Sequence, residues 1–438
     1  MKQEWSIFIK FGCELIINNV ISNHSFDKDR IYNYVKKFSF PRLVGTQGEK
    51  KAVELTTNTF KQIGFEEEQI TQDSFRFSNF YSVHLIKLII LMNLISITIL
   101  FAIKYLYPLF TFITIIIIAI IVFLMINVCR HPELKGFWEK YWGKWISATS
   151  VFTKIPAKTL SSIEAGNLII SAHLDSKSQS YKTLWRVLLY RIWLYSEISL
   201  TLFYVGFLIT LHELFEFHNI IIFIYEVGIV ISTFLLIISN IFLLFLKTNN
   251  KSCGALDNAS GMAIIFELSS YFVSNPLDNF NLWFCQFSAE EIGTMGSRNF
   301  LDNRENQFSI GKTFQINFDM LSLLNHRKNQ IEYIKSYGLI PRKKISPLLN
   351  EYLQKAAASE NLTIFSFHTS IGAHTDSIPF HLRKYDSVDI ITRAACKYTH
   401  SKKDTYDKVD PLILLDTCRI AKKTILMLDR DFKLFNKD

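Results

Sequence analysis

From Leu85 to Cys129 nearly every position is apolar, broken only around Lys104 to Pro108. Each half is long enough to cross a hydrocarbon core of roughly 30 Å, and the pattern predicts a transmembrane hairpin. A second pair follows, Trp193 to Leu211 and Ile220 to Leu246, separated by a short stretch holding His212, Glu213, Glu216 and His218. Runs beyond about 18 apolar residues favour spans over buried helices of a large core, so four spans are expected. Glu197 and Glu226 lie within the second pair. Carboxylates are costly in lipid; these two are expected to face the helix bundle or an interface, and neither is assigned a role.

Outside the apolar runs the periodicity changes. Residues 28–63 read as helical around a loop at Pro41-Arg42-Leu43-Val44-Gly45-Thr46, and beyond them short apolar strands alternate with amphipathic helices. Asn167 to Ala172, Leu282 to Ser288, Thr313 to Phe318 and Val388 to Thr392 are the clearest strands. The chain therefore divides into an α/β domain built from 1–83, 130–183 and 247–438, interrupted by hairpins at 84–129 and 184–246. The first twenty-odd residues form an apolar run broken by Lys10 and Glu14, which reads as an amphipathic helix and not a secretory signal. Arg342-Lys343-Lys344 reads as a solvated turn.

Composition sharpens this picture. Of 438 residues 49% are hydrophobic, and a mean hydropathy of +0.18 points to membrane spans. The net charge of +9 is assigned to anionic lipid and not to nucleic acid, because much of the excess lies beside the apolar runs. Arg76, Lys87, Arg130, Lys135, Lys140, Lys144, Lys182, Arg186, Arg191, Lys247 and Lys251 flank the polar segments, whereas the hairpin tips offer only Lys104. The positive-inside rule then makes the catalytic domain cytoplasmic, in an integral multi-pass protein with the lipid bilayer as partner. Six cysteines without any C-x-x-C pair suggest neither a thiolate metal site nor a disulfide framework.

Each of the four strands runs into, or shortly precedes, a potential metal ligand, and ligands of open α/β sheets collect at the carboxyl ends of strands. The first ends in His173-Leu174-Asp175, where an imidazole suits a metal and Asp175 suits its other ring nitrogen; surface pairs of this kind are also common. Asp257 stands among small residues before an amphipathic helix, as either an N-cap or a carboxylate shared between cations. Glu290 and Glu291 adjoin at a strand end, where repulsion is costly unless a cation or proton is shared. One then suits a metal and the other a proton acceptor. Asp319 and His400 complete the set.

The ordered series AHLDS, LDNASG, FSAEEIGTMGS, NFDM and YTHSKKDT resembles the co-catalytic dizinc aminopeptidase family, whose relatives include secreted bacterial aminopeptidases, glutamate carboxypeptidases and glutaminyl cyclases. The segments PRLVGTQGEKKAVELTTNTFKQIGF and GAHTDSIPF resemble that family too. The resemblance implies a three-layer zinc-exopeptidase fold around a mixed, mostly parallel sheet, here in a membrane-embedded member. It implies that His173 and Asp319 hold one zinc ion, Glu291 and His400 the other, and that Asp257 bridges them. Glu290 would be the base, Asp175 would orient His173, Asp404 would act near His400, and His374 and Asp376 would lie near the substrate. N/O ligands without thiolate suit zinc, with cobalt or manganese as substitutes.

The function implied is membrane-bound, zinc-dependent removal of N-terminal residues from a peptide substrate. The alternatives are a carboxypeptidase, a glutaminyl cyclase-like enzyme and an inactive receptor or scaffold relative; a transporter is a weaker reading. Residue preference, physiological substrate, native metal and oligomeric state stay open.

Overall fold

The computed structural model describes residues 26–103, scattered positions between 110 and 123, and 143–211, 219–326, 330–337, 342–369 and 375–435. The expected N-terminal amphipathic helix, most of the second half of the first hairpin, the 212–218 connection and His374 fall outside the described residues.

Helix α1 (Lys28–Phe38) starts at Asp27, whose carboxylate accepts from the Asp29 N–H at 2.8 Å. It buries Ile31, Val35 and Phe38 along one face, the spacing of a single helical stripe. Helix α2 (Gln47–Ile63) stops at Gly64, where φ of +115° suits a residue without Cβ. Strand β1 (Ile70–Ser78) precedes α3 (Ile86–Ile103), and β2 (Trp145–Ile155) leads to β3 (Gly166–His173) and the short β4 (Ser178–Gln179). Helices α4 (Thr183–Leu211) and α5 (Asn219–Leu244) follow, then β5 (Thr248–Asn249), α6 (Ser260–Phe272), β6 (Phe280–Phe287), α7 (Met295–Arg304) and β7 (Thr313–Asp319). The rest is β8 (Glu332–Tyr337), β9 (Lys343–Lys344), α8 (Pro347–Ser359), β10 (Phe365–Thr369), α9 (Ile378–Leu382), β11 (Asp386–Ile391) and α10 (Pro411–Arg430).

The nine-stranded sheet runs β1-β2-β6-β3-β7-β11-β8-β10, with β9 on β8. Its centre, β6-β3-β7-β11, is parallel, while β1/β2, β2/β6, β11/β8 and β8/β9 are antiparallel. The edge pair β8/β10 is parallel again, so the sheet is mixed, with four parallel and four antiparallel pairs, and not mostly parallel. The four strands expected from sequence are β3, β6, β7 and β11. Strands β3, β6 and β7 are buried at every position, as expected where helices cover both faces. Leu168, Ile170 and Ala172 face a core with α1, α2, α6 and α10, and Ile169 faces Trp283, Phe287, Phe300 and Phe380 on the other side. The basic turn is partly strand, since Lys343 and Lys344 pair with Tyr337 and Ser336.

The second inserted hairpin is α4 and α5, closed at its base by the β4/β5 ribbon. Helix α4 begins about ten residues before the expected boundary and carries Arg186 and Arg191 within it. Segments 83–101, 183–210 and 219–244 are long and apolar enough to cross a membrane by length and composition. They also pack on one another. Tyr225 and Phe203 rings lie where a Cβ on Gly206 or Gly228 would stand, 2.7 and 2.6 Å away, so glycine permits the close approach. Between the three helices, Asn240 donates to Asn93 Oδ1 at 2.6 Å and Asn93 donates to Glu197 Oε2 at 2.8 Å. Glu197 thus faces its neighbouring helices; Glu226 is half-buried.

Candidate metal centre

The parallel centre of the sheet delivers three of the five expected ligands. His173 ends β3 and Asp319 ends β7, while Glu291 lies in a short 3-10 turn, Glu290–Ile292, just after β6. Asp257 precedes α6, and the Asp257-Asn258 peptide is cis. His400 comes from the segment after β11. Ala289, Met320 and His400 all have positive φ, between +48° and +62°. Such conformations cost on the order of 1–3 kcal/mol each for non-glycine residues and cluster at functional sites. Gly261 lets α6 start against the end of β7, since a Cβ there would stand 2.6 Å from the Phe318 carbonyl.

Two groups result, His173-Asp257-Asp319 and Asp257-Glu291-His400, each with ligand atoms within 4.8 Å of one another. Asp257 belongs to both. His173 Nε2 is 3.1 Å from Asp257 Oδ1 and 3.5 Å from Asp319 Oδ1, and His400 Nε2 is 3.1 Å from Asp257 Oδ2 and 3.0 Å from Glu291 Oε2. Glu290 Oε2 stands 3.9 Å from His173 Nε2.

Buried atoms without a hydrogen-bond partner include His173 Nε2, Asp319 Oδ1 and His400 Nδ1. Buried polar atoms left unpaired are costly, and two of these three face the centre of the first group. A donor set of imidazole and carboxylate suits zinc. Charge is unbalanced throughout. Burial pushes the Glu290 carboxyl well above its ordinary range and raises that of Asp319. Burial likewise opposes ionisation of Asp257, but His173 and His400 overcome it and hold that group below its usual range. For Glu291 the opposition of burial is overcome by His400 and Lys177, to about 2. Burial would keep the His173 ring neutral, yet Glu290, Asp175, Asp257 and Asp319 raise it well above its ordinary value. Divalent cations relieve this competition for protons.

The surrounding residues are placed more sharply than the sequence indicated. His173 Nδ1 lies 3.1 Å from the Asp175 main-chain carbonyl and 3.6 Å from its carboxylate. That carboxylate accepts instead from the N–H groups of Glu290 and Glu291, at 3.2 and 3.3 Å. Asp404 accepts from the N–H groups of Leu256 and Asp257 at 2.6 and 3.2 Å, so its contacts run to the Asp257 segment. Asp376 is fully buried and accepts from Ser297 at 2.6 Å. Burial pushes both Asp376 and Asp404 up to about 7.

Three further residues carried no signal of their role. The buried Arg42 guanidinium donates to the carbonyls of Leu174, Cys253 and Gly254 at 2.6, 2.7 and 2.8 Å, tying the His173 and Asp257 loops together. Glu49 accepts from Ser288 and from the Gly45 and Thr149 N–H groups, steadying the residues before Glu290. Lys177 contacts Glu291. Arg42 and Glu49 lie within that N-terminal segment, yet nothing local marks them, because the partners that tie them to the site, Leu174, Cys253, Gly254 and Ser288, are more than 100 positions away.

Residues 242–425 match peptidase family M28. Aminopeptidase YwaD of Bacillus subtilis (strain 168) is 24% identical over 165 residues, which is 36% of this chain and 34% of that protein. The chain thus spans about a third of that curated relative. Among solved structures, the aminopeptidase of Aneurinibacillus sp. strain AM-1 superposes with a TM-score of 0.52 at 13% identity, over 91% of this chain and 93% of that one. An Acidobacteriales bacterium glutaminyl cyclase gives 0.51 at 13% identity, over 93% and 96%. A leucine aminopeptidase precursor from Bacteroides thetaiotaomicron VPI-5482 also gives 0.51 at 13%, over 92% and 97%. The fold is shared, and the two groups joined at Asp257 are consistent with a co-catalytic two-zinc centre.

The same comparisons correct the reading drawn from the apolar runs. The structures sharing the fold are of soluble enzymes, which overturns the membrane-embedded member, its four transmembrane spans, the lipid-bilayer partner and the multi-pass location. The physical reason is that a hydropathy window registers length and apolarity, which packed helices and bilayer spans have in common. The helices keep that composition; the location inferred from it is withdrawn. The cytoplasmic assignment falls with it, because charge bias orients spans and says nothing without them.

Proposed function

We propose that this chain is an aminopeptidase-type hydrolase that cleaves the amino-terminal peptide bond of a peptide through a two-metal centre. The observation that carries the reading is Asp257, with one carboxylate oxygen 3.1 Å from His173 and the other 3.1 Å from His400, the arrangement a bridging ligand requires. In this reading His173 and Asp319 hold one ion and Glu291 and His400 the other. When bound, two divalent ions polarise the scissile carbonyl, acidify water and anchor a substrate amine.

The chain's own residues do the rest. Glu290 takes the proton of the attacking water and returns it to the leaving amine; its position 3.9 Å from His173 and next in the chain to Glu291, without membership of either group, supports that division of labour. Asp175 holds the Glu290 and Glu291 backbone while its carbonyl orients His173, and Asp404 fixes the Asp257 backbone. Burial of Glu290, Glu291 and Asp319, each under a tenth exposed, strengthens every charge interaction within the site. The catalytic domain is assigned to segments 1–83, 130–183 and 247–438, with 84–129 and 184–246 as insertions. A complete ligand set for two ions favours hydrolysis over cyclisation, although a glutaminyl cyclase shares the fold.

The test is cleavage of free and N-blocked peptides before and after chelation and zinc restoration. Zinc-restored cleavage confined to free amino termini is expected. Cleavage of blocked peptides would move the activity to a carboxypeptidase or endopeptidase, and cyclisation of N-terminal glutamine without hydrolysis would favour the cyclase.

A further inference from the structure

The two halves of the centre differ in one respect that the ligand set does not require. Lys177 stands four residues beyond His173, between the end of β3 and β4. Its ammonium lies 2.8 Å from Glu291 Oε2 and donates to the Glu291 main-chain carbonyl at 2.7 Å, and its own N–H donates to Glu291 Oε1 at 3.2 Å. Oε2 is also the oxygen that faces His400 Nε2 at 3.0 Å, so the ammonium occupies the carboxylate atom that points into the Asp257-Glu291-His400 group. Among the described residues the other group has no such cation. Among the described residues, the ion pairs of His173 and Asp319 are formed within the cluster, with no lysine or arginine in contact, and Asp319 Oδ1 has no hydrogen-bond partner.

We propose that Lys177 is a positioning residue that makes the Glu291/His400 position the weaker and more exchangeable of the two metal positions. The inference rests on the two-metal reading above. A fixed positive charge against a ligand oxygen both competes for its lone pair and repels a divalent ion, and the repulsion is strong where solvent is scarce. The Lys177 side chain is 11% exposed, which leaves it a route to solvent when a cation arrives. Moving it there costs part of the binding energy at that position alone. The first ion therefore enters at His173/Asp319, where an orphaned acceptor awaits it, and the second enters against Lys177.

The experiment is zinc titration of the metal-free full chain against a competing chromophoric chelator, with Lys177→Met, Lys177→Arg and Asp319→Asn beside the wild type. Circular dichroism checks that each variant is folded, and Lys177→Gln replaces any methionine variant that is not. Two resolved equivalents are expected for the wild type. Lys177→Met should tighten the weaker equivalent at least about tenfold, the scale on which residues contacting metal ligands act, and leave the tighter one within about twofold. Lys177→Arg should keep the wild-type separation, and Asp319→Asn should lose the tight equivalent while retaining the weak one. A weaker equivalent that is unchanged or loosened in Lys177→Met would overturn the proposal and leave Lys177 a structural clamp on Glu291. A single equivalent in the wild type would remove the two-metal reading itself, an outcome distinguishable from that failure.

Discussion

Gln179 and His400 are joined main chain to main chain: the Gln179 N–H donates to the His400 carbonyl at 3.0 Å. Gln179 belongs to β4, the first strand of the ribbon that closes the α4-α5 insertion. Four residues on, the Thr183 hydroxyl lies 2.9 Å from that of Thr399, the residue before His400. The root of the insertion thus braces a metal-ligand loop. Thr183→Val keeps the side-chain shape but leaves the buried Thr399 hydroxyl unpaired, a loss of about 1–3 kcal/mol. Zinc titration should find the His400 position weakened several-fold; an unchanged affinity would show that the brace does not reach the ligand.

Glu290 Oε2 lies 3.9 Å from His173 Nε2 and belongs to neither metal group. Replacing it by glutamine deletes the proton acceptor and keeps the ligands. Steady-state assays of Glu290→Gln should show kcat lowered by about 10²–10⁴, while zinc content stays at the wild-type level. Loss of zinc from this variant would contradict the separation of base from ligand.

His381 on α9 lies outside the metal groups, and burial lowers its pKa to about 4, with Lys343 adding to the effect. Its Nε2 is buried and unpartnered. A ring kept neutral by the fold contributes stability that is present above the unfolded value of about 6.5 and is lost as pH falls through the interval down to 4. Between pH 7 and 4, wild type should lose up to roughly 3 kcal/mol more stability than His381→Gln. Parallel denaturation curves for the two proteins across that range would refute this assignment.

Much of the site was legible because strand ends announce themselves. An apolar run that stops at or just before a histidine or carboxylate is a local pattern; β3 and β7 end on His173 and Asp319, and β6 ends three residues before Glu290. Asp404 and Asp175 were visible as residues but not in their contacts, since a carboxylate's choice between a neighbouring side chain and a distant N–H depends on backbone geometry. Arg42, Glu49 and Lys177 escaped because their partners come from other loops. The apolar helices misled for a different reason: a hydropathy window registers only length and apolarity, and these two properties do not by themselves fix where a helix resides.

The central claim is that Asp257 alone belongs to both metal positions. Zinc per chain, measured on purified Asp257→Ala after dialysis beside the wild type, tests it most directly. The account predicts two zinc ions in the wild type and loss of both in the variant; a variant that retained two tightly held ions would contradict it.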